Sequence, residues 1–314
     1  MNFETIEKAY ELLLENVQRI QSQLQTNSYD ALIEQNAYYV SGNQTLPEVM
    51  ANNEALKALH LSAEEWRRTF QFLLLKTLQT EHLQANHQLT PDSIGFLILY
   101  LLEQLTPADS IDVLEIGSGT GNLAHTLLNN SRKTLNYMGI EVDDLLIDLS
   151  ASIADVIESQ AQFVQEDAVR PQLMKESDVI VSDLPIGYYP NDEIAKRYRV
   201  ASPTGHTYAH HLLMEQSLKY LKDDGIAIFL APTSLLNSPQ SPLLKEWLKG
   251  YASMIAVIAL PETLFGQEEN AKSLFILKKQ AQETSETFVY QLGDLQNRQE
   301  MTAFITAFQN WRAH

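Results

Sequence analysis

Two short segments hold residues able to do chemistry. One is "DVIVSDLPIGYYP", residues 178–190, in which a β-branched run (Val179, Ile180, Val181) reads as a buried strand. The run stops on an acid, Asp183, followed by a proline, a glycine, two tyrosines and a second proline. A strand can end on ordinary turn residues, so a carboxylate, a rigid bend and paired aromatics ask for a chemical reason. The other segment is "VLEIGSGTGNLA", which sets Gly117, Gly119 and Gly121 directly after a strand and before a helix. Glycines there let the backbone turn tightly and let a ligand approach the main chain.

Two cofactor classes use such a loop. The dinucleotide fingerprint asks for G-x-G-x-x-G/A, and Asn122 stands where its third small residue belongs. The second pattern is an acid two residues before the first glycine, then G-x-G-x-G; Glu115 and the three glycines fit it completely. This is the S-adenosylmethionine signature of class I methyltransferases. Glu141 ends the next strand, 20 residues beyond Gly121, where a carboxylate can accept both ribose hydroxyls. Asp167 ends the third, where it can accept the adenine amino group. Ser118 and Asn122 within the loop, and Val142 and Ala168 beside the two acids, complete the expected cofactor contacts. A nicotinamide enzyme rests on the glycine loop alone.

These residues need a scaffold. From about residue 110, short apolar runs alternate with helical stretches: "IDVLEIG", "LNYMGIEV", "AQFVQED", "DVIVSD", "GIAIFLAP", "MIAVIALP" and "KSLFILKK" read as seven strands. The pattern predicts an α/β, Rossmann-like, mostly parallel sheet with ligands at the carboxyl ends of its strands. Residues 1–86 are helical in period, with Ser62 and Glu65 at capping-box spacing. The expected division is therefore a helical domain over 1–86 and a cofactor-binding domain over 87–314.

Composition bounds the function. The 314 residues carry 45% hydrophobic and 20% charged side chains, ordinary for a globular chain, and no cysteine, which excludes disulfides and thiolate zinc sites. No metal site is expected. The N-terminus carries four glutamates before residue 16 and does not read as a signal peptide, and no apolar run is long enough to span a bilayer. A cytoplasmic protein without membrane contact is the expectation. The formal net charge is −18, and residues 87–200 alone carry 18 acids against 7 bases. Nucleic-acid binders usually show a basic face. The one dense basic patch of that stretch is Lys196, Arg197 and Arg199, read as a solvated helix face.

Residues 87–280 resemble the amino-methylating class I methyltransferases, especially adenine-N6 DNA methylases of the type I modification-subunit kind. Within these, the chain is most similar to the compact YtxK-like proteins of Gram-positive bacteria, the group whose helical N-terminal domain it also matches. "HQLTPDSIGFLILYLL" looks like the family's segment before the glycine loop, in which a Thr-Pro pair touches the cofactor, so Thr90 joins the cofactor set. "DLPIGYYP" looks like its catalytic loop, N/D-P-P-aromatic. The resemblance implies that Asp183 and the Leu184 carbonyl accept the two N–H bonds of an exocyclic amine. That leaves the amine lone pair facing the sulfonium methyl, and Pro185 holds residue 184 extended. Thr90 and Pro91 also read as the cap and first position of a helix.

Two departures stand out. Leu184 replaces the first proline, and Ile186 replaces the aromatic that stacks on a flipped base. Tyr188 or Tyr189 could reach back over the pocket, or both could pack elsewhere. A separate target-recognition region is also missing: the 35 residues after Lys279 read only as a strand ("TFVYQL") and a helix ("MTAFITAFQNW"). The leading expectation is N-methylation of an amine in DNA or RNA. A protein glutamine as acceptor, or a cofactor-binding regulator without catalysis, are the alternatives. A homodimer through the helical domain, or a partner protein supplying recognition, are the two associations left open.

Overall fold

The computed structural model describes residues 1–43, 45–80, 89–266, 270–279 and 286–313. The boundary expected at 86–87 lies outside them. Four helices come first: α1 (Phe3–Leu24), α2 (Ser28–Ser41), α3 (Pro47–Ala58) and α4 (Ala63–Thr80). There follow α5 (Asp92–Leu105), β1 (Ser110–Ile116), α6 (Asn122–Asn130), β2 (Thr134–Glu141), α7 (Asp144–Ile157), β3 (Gln162–Gln165) and β4 (Ser177–Asp183). The chain continues through α8 (Asp192–Ala195), α9 (Ala209–Ser217), β5 (Leu221–Pro232), α10 (Ser241–Leu248), β6 (Ser253–Ala259), β7 (Lys272–Lys278), β8 (Phe288–Gln291) and α11 (Arg298–Arg312). Among the described residues no helix is long and apolar enough to cross a membrane.

All seven expected strands form, in one sheet of order β3-β2-β1-β4-β5-β7-β6-β8. The sheet has eight strands rather than seven because "TFVYQL" joins it, pairing parallel with β6. Strand β7 runs against its neighbours, antiparallel to both β5 and β6. The reversal brings the first residue of β7 to the carboxyl end of β5: Lys272 lies opposite Pro232.

Two compact units divide the chain. The first comprises Met1–Gly95, Ser118–Arg132 and Asn136–Gln165, so the helices share a unit with the glycine-loop helix and the β2–α7–β3 segment. Its core joins Leu13, Val17 and Ile20 of α1 and Phe70 and Leu73 of α4 to Leu149, Ile153 and Val156 of α7. The apolar stripe of α1 is thus buried within the chain, at about 25 cal/mol per Å² of apolar surface covered. Ser62 and Glu65 form the expected capping box: the Glu65 carboxylate accepts from the Ser62 N–H (3.0 Å) and Ser62 Oγ accepts from the Glu65 N–H (3.3 Å). Helix α5 begins one residue later than the Thr-Pro reading has it. The Pro91 carbonyl accepts from the N–H groups of Ile94 and Gly95, which puts Pro91 at the cap and Thr90 before it.

The second unit comprises Phe96–Gly117, Lys133–Leu135 and Glu166–His314. Its sheet buries Val179, Ile180 and Val181 of β4, Ile228, Phe229 and Leu230 of β5, and Phe275 and Ile276 of β7. Helix α11 packs Phe304 and Phe308 around Phe288 of β8, with ring centroids 6.2 and 5.3 Å away.

Candidate active site

The glycine loop needs glycine for two different reasons. Gly117, Gly119 and Gly121 all have positive φ (72°, 52° and 76°), a conformation that other residues resist. A Cβ at Gly117 or Gly119 would meet nothing within 4 Å, so these two leave the backbone open to a ligand. A Cβ at Gly121 would come within 2.9 Å of the Phe163 ring, so packing also requires a glycine there. The loop is closed by Ser118 N–H to the Ile140 carbonyl (3.0 Å) and Gly121 N–H to the Ser118 carbonyl (2.9 Å).

Glu141, at the end of β2, is buried and fixed by main-chain donors. Oε2 accepts from Gly119 N–H at 2.8 Å, and Oε1 from Val142 N–H (2.8 Å) and Asp143 N–H (3.0 Å). A carboxylate has about four acceptor positions, so capacity remains for a hydroxyl. Val142 is exposed. Asn122, the first residue of α6, is buried; it donates to the Thr90 carbonyl (3.4 Å) and accepts from Arg67 (3.2 Å). Arg67 is itself buried and paired with Glu64 and Asp92, a network that ties α4 to the start of α6. The hydroxyls of Ser118 and Thr120 are buried and find no hydrogen-bond partner among the described residues. Open space at two glycines, unpartnered hydroxyls and an oriented acid suit a polar, sugar-bearing cofactor.

In the second unit, β1 and β4 are parallel neighbours with Glu115 opposite Val181, so the level of Asp183 is that of Gly117. Ser182 Oγ donates to the Ile116 carbonyl at 2.6 Å and locks the two strand ends together. Glu115 is buried. Asp183 forms an ion pair with Lys272, and the same Lys272 Nζ donates to the Leu184 carbonyl at 3.1 Å. Leu184 is buried and its N–H is held by the Leu230 carbonyl (2.9 Å), which fixes the peptide that carries its own carbonyl. Pro185 is half-buried. Ile186 is exposed.

The two tyrosines separate. Tyr189 is buried and its hydroxyl donates to Asp167 Oδ2 at 2.6 Å; burial and that carboxylate push the phenol up to about 12. Tyr189 is therefore engaged with Asp167 and offers no exposed ring face. Asp167, two residues past β3, also accepts from Val169 N–H (3.0 Å) and pairs with Arg170 (3.3 Å), while Ala168 is buried. Tyr188 is exposed and lies flat on Tyr208, with centroids 4.9 Å apart and planes at 9°; Tyr208 stacks in turn on His210 at 5.0 Å. Lys196, Arg197 and Arg199 are exposed around a buried Tyr198, but they lie on the turns after α8 and not on the helix face expected of them, because the helix stops at Ala195.

The family model for N-6 DNA methylases matches residues 63–306. The chain belongs to the N-6 DNA methylase family. It is also 33% identical, over 96% of both chains, to the uncharacterized protein YtxK of Bacillus subtilis. The crystal structure of a candidate class I S-adenosylmethionine-dependent methyltransferase from Listeria monocytogenes superposes with a TM-score of 0.91 at 30% identity, covering 99% of both chains. The type I restriction-modification methyltransferase subunit of Streptococcus thermophilus shares the fold alone, with a TM-score of 0.67 at 14% identity over 96% of this chain and 74% of that one. The protein is thus an S-adenosylmethionine-dependent methyltransferase of class I fold.

Three features of this methylase escape a reading of its sequence. Lys272 is 89 residues from Asp183 and reads only as the first residue of a strand; nothing local announces that β7 is reversed. The Tyr189–Asp167 bond joins two segments the sequence offered for separate tasks. The stacked Tyr208 and the pair His210–His211 come from "YAHH", which reads only as the start of a helix. Burial lowers His210 to about 4 and His211 to about 3, and the nearby Lys272 charge adds to the effect on His210. Both imidazoles are neutral behind the loop at pH 7.

Proposed function

We propose that the protein transfers a methyl group from S-adenosylmethionine to an exocyclic amine of a nucleic acid, of the adenine-N6 type. One observation carries the reading: the Asp183 carboxylate and the Leu184 carbonyl converge on a single nitrogen, at present that of Lys272. An amine in that seat would give both its N–H bonds to these acceptors and keep its lone pair free, a gain of orientation and charge stabilisation. When bound, the cofactor supplies an electrophilic sulfonium methyl. Thr90, Glu115, Gly117, Ser118, Gly119, Gly121, Asn122, Glu141, Val142, Asp167, Ala168 and Asp183 are the residues assigned to hold it. Within that set Glu141 takes the ribose hydroxyls and Asp167 the adenine edge. Tyr188, exposed on its stack, is assigned the place of the missing aromatic at Ile186.

We also assign target recognition to a partner protein in the cytoplasm, because the chain carries a formal net charge of −18 and nucleic-acid binders usually show a basic face. The Streptococcus protein of the same fold is itself a subunit of a larger system. The buried stripe of α1 weighs against a homodimer through the helical region. The test is transfer of labelled methyl into DNA, RNA and protein fractions by wild type and Asp183→Ala. Label in a nuclease-sensitive fraction that is lost with Asp183→Ala is expected; label indifferent to that substitution overturns the reading. Lys272 on both acceptors and the aliphatic Ile186 favour a second reading, a cofactor-binding regulator without turnover. Cofactor binding with no transfer to any fraction selects it.

A further inference from the structure

We propose that Lys272 is a built-in occupant of the acceptor seat, and that the ligand which replaces it is an amine carried together with a phosphate, a nucleotide unit rather than a protein amide. The inference rests on Asp183 and Leu184 being the two acceptors of the target amine.

An ammonium has three donors, and Lys272 gives two of them to the same two acceptors, the Asp183 carboxylate and the Leu184 carbonyl. The contact follows from the topology. Because β7 is antiparallel to β5, its first residue arrives at the carboxyl edge where β4 ends, with Asp183 opposite Leu230 and Lys272 opposite Pro232. The side chains of the pair are 16% and 22% exposed, which makes it a shielded contact and not a surface ion pair. The neighbouring imidazole, His210, is neutral, so it offers Lys272 no competing charge.

A neutral amine that displaces Lys272 exchanges an ammonium–carboxylate ion pair for a hydrogen bond from an uncharged donor to the same carboxylate, and so gives up the attraction between opposite charges. It also leaves an ammonium without its counter-ion in a shielded place, a costly state. A bare nucleoside or a glutamine amide does nothing to offset that. A ligand with an anion beside its amine does, because the departing ammonium exchanges one anion for another. Lys272 therefore selects for a phosphate-bearing amine and keeps the seat closed to uncharged ones.

The experiment uses the full chain saturated with S-adenosylhomocysteine, titrated calorimetrically with adenosine and with adenosine 5′-monophosphate. Wild type is expected to prefer the monophosphate by about tenfold, the scale of one charge-assisted hydrogen bond. Lys272→Met is expected to bind adenosine about tenfold more tightly than wild type and to lose the preference. Equal binding of the two probes by wild type, or no gain in adenosine binding by a Lys272→Met protein of unchanged melting temperature, overturns the proposal. A second measurement needs no variant. Acylation of wild type by an amine-reactive ester, read by mass spectrometry, should find Lys272 protected relative to the exposed Lys245 and Lys249. The monophosphate should release it; a Lys272 rate that the probe leaves unchanged overturns the proposal. Failure of the underlying reading looks different: wild type would not take up S-adenosylhomocysteine, or Asp183→Ala would transfer methyl normally.

Discussion

Glu141 and Asp183 are both acids that end parallel strands, yet they are held in opposite ways. Glu141 is held by three backbone N–H groups from residues 119, 142 and 143. Asp183 is held by a side chain 89 residues away. Main-chain donors come with the loop and cannot leave without unfolding it, whereas a lysine can swing off on rotation of its own side chain. The carboxylate proposed for the cofactor is therefore fixed by construction, and the one proposed for the target amine is held by a contact that can exchange.

The sharpest way to break this contrast is Asp183→Ala. Transfer should fall by about 10²–10³-fold, the usual scale for losing a preorganised polar group, while binding of S-adenosylhomocysteine, read by calorimetry, stays as in wild type. A fall in both would mean that the two sides are not separable. Gly121→Ala attacks the rigid side. It combines a positive φ with a 2.9 Å approach to Phe163, and should cost about 1–3 kcal/mol of stability and weaken cofactor binding. Urea unfolding with and without S-adenosylhomocysteine checks both effects.

Acid should strain both sides. His125 in the first unit is lowered to about 4 by burial, with the Arg67 charge adding to it, as His210 is to about 4 and His211 to about 3 in the second. Unfolded imidazoles take up protons below about pH 6.5 and the folded ones do not until near pH 4. The stability they contribute is complete above pH 6.5 and is lost as pH falls towards 4. The loss is about 1–2 kcal/mol per imidazole by pH 5, measurable as a drop in the urea midpoint between pH 7.5 and pH 5. Smallest of all, Tyr189→Phe removes one hydrogen bond to Asp167 and should cost about 1 kcal/mol. Hydrogen exchange confined to 166–170 and 187–190 would locate the change.

The same contrast explains what could be read from the sequence. The capping pair Ser62–Glu65, the glycine loop and the acids at strand ends depend on neighbours within a few residues, and local spacing reveals them. The arrival of Lys272 depends on the direction of β7, which its apolar run does not encode. The bond between Tyr189 and Asp167 likewise depends on two loops meeting in space. The eighth strand was visible as a strand, but its membership of the sheet rests on pairing with β6, again a long-range matter. Hydrophobic period identifies an element; it does not say which partner or polarity that element will take.

The tail built of β8 and α11 has a consequence for the life of the protein outside any reaction. β8 covers one flank of β6, and α11 clamps it there with Phe304 and Phe308. Stripped of these residues, β6 would show a row of free amides and carbonyls along an apolar strand, a ready template for another copy. A nick by a protease in the last thirty or so residues would then matter less as lost activity than as the start of clumping, so the tail is where this chain guards its solubility.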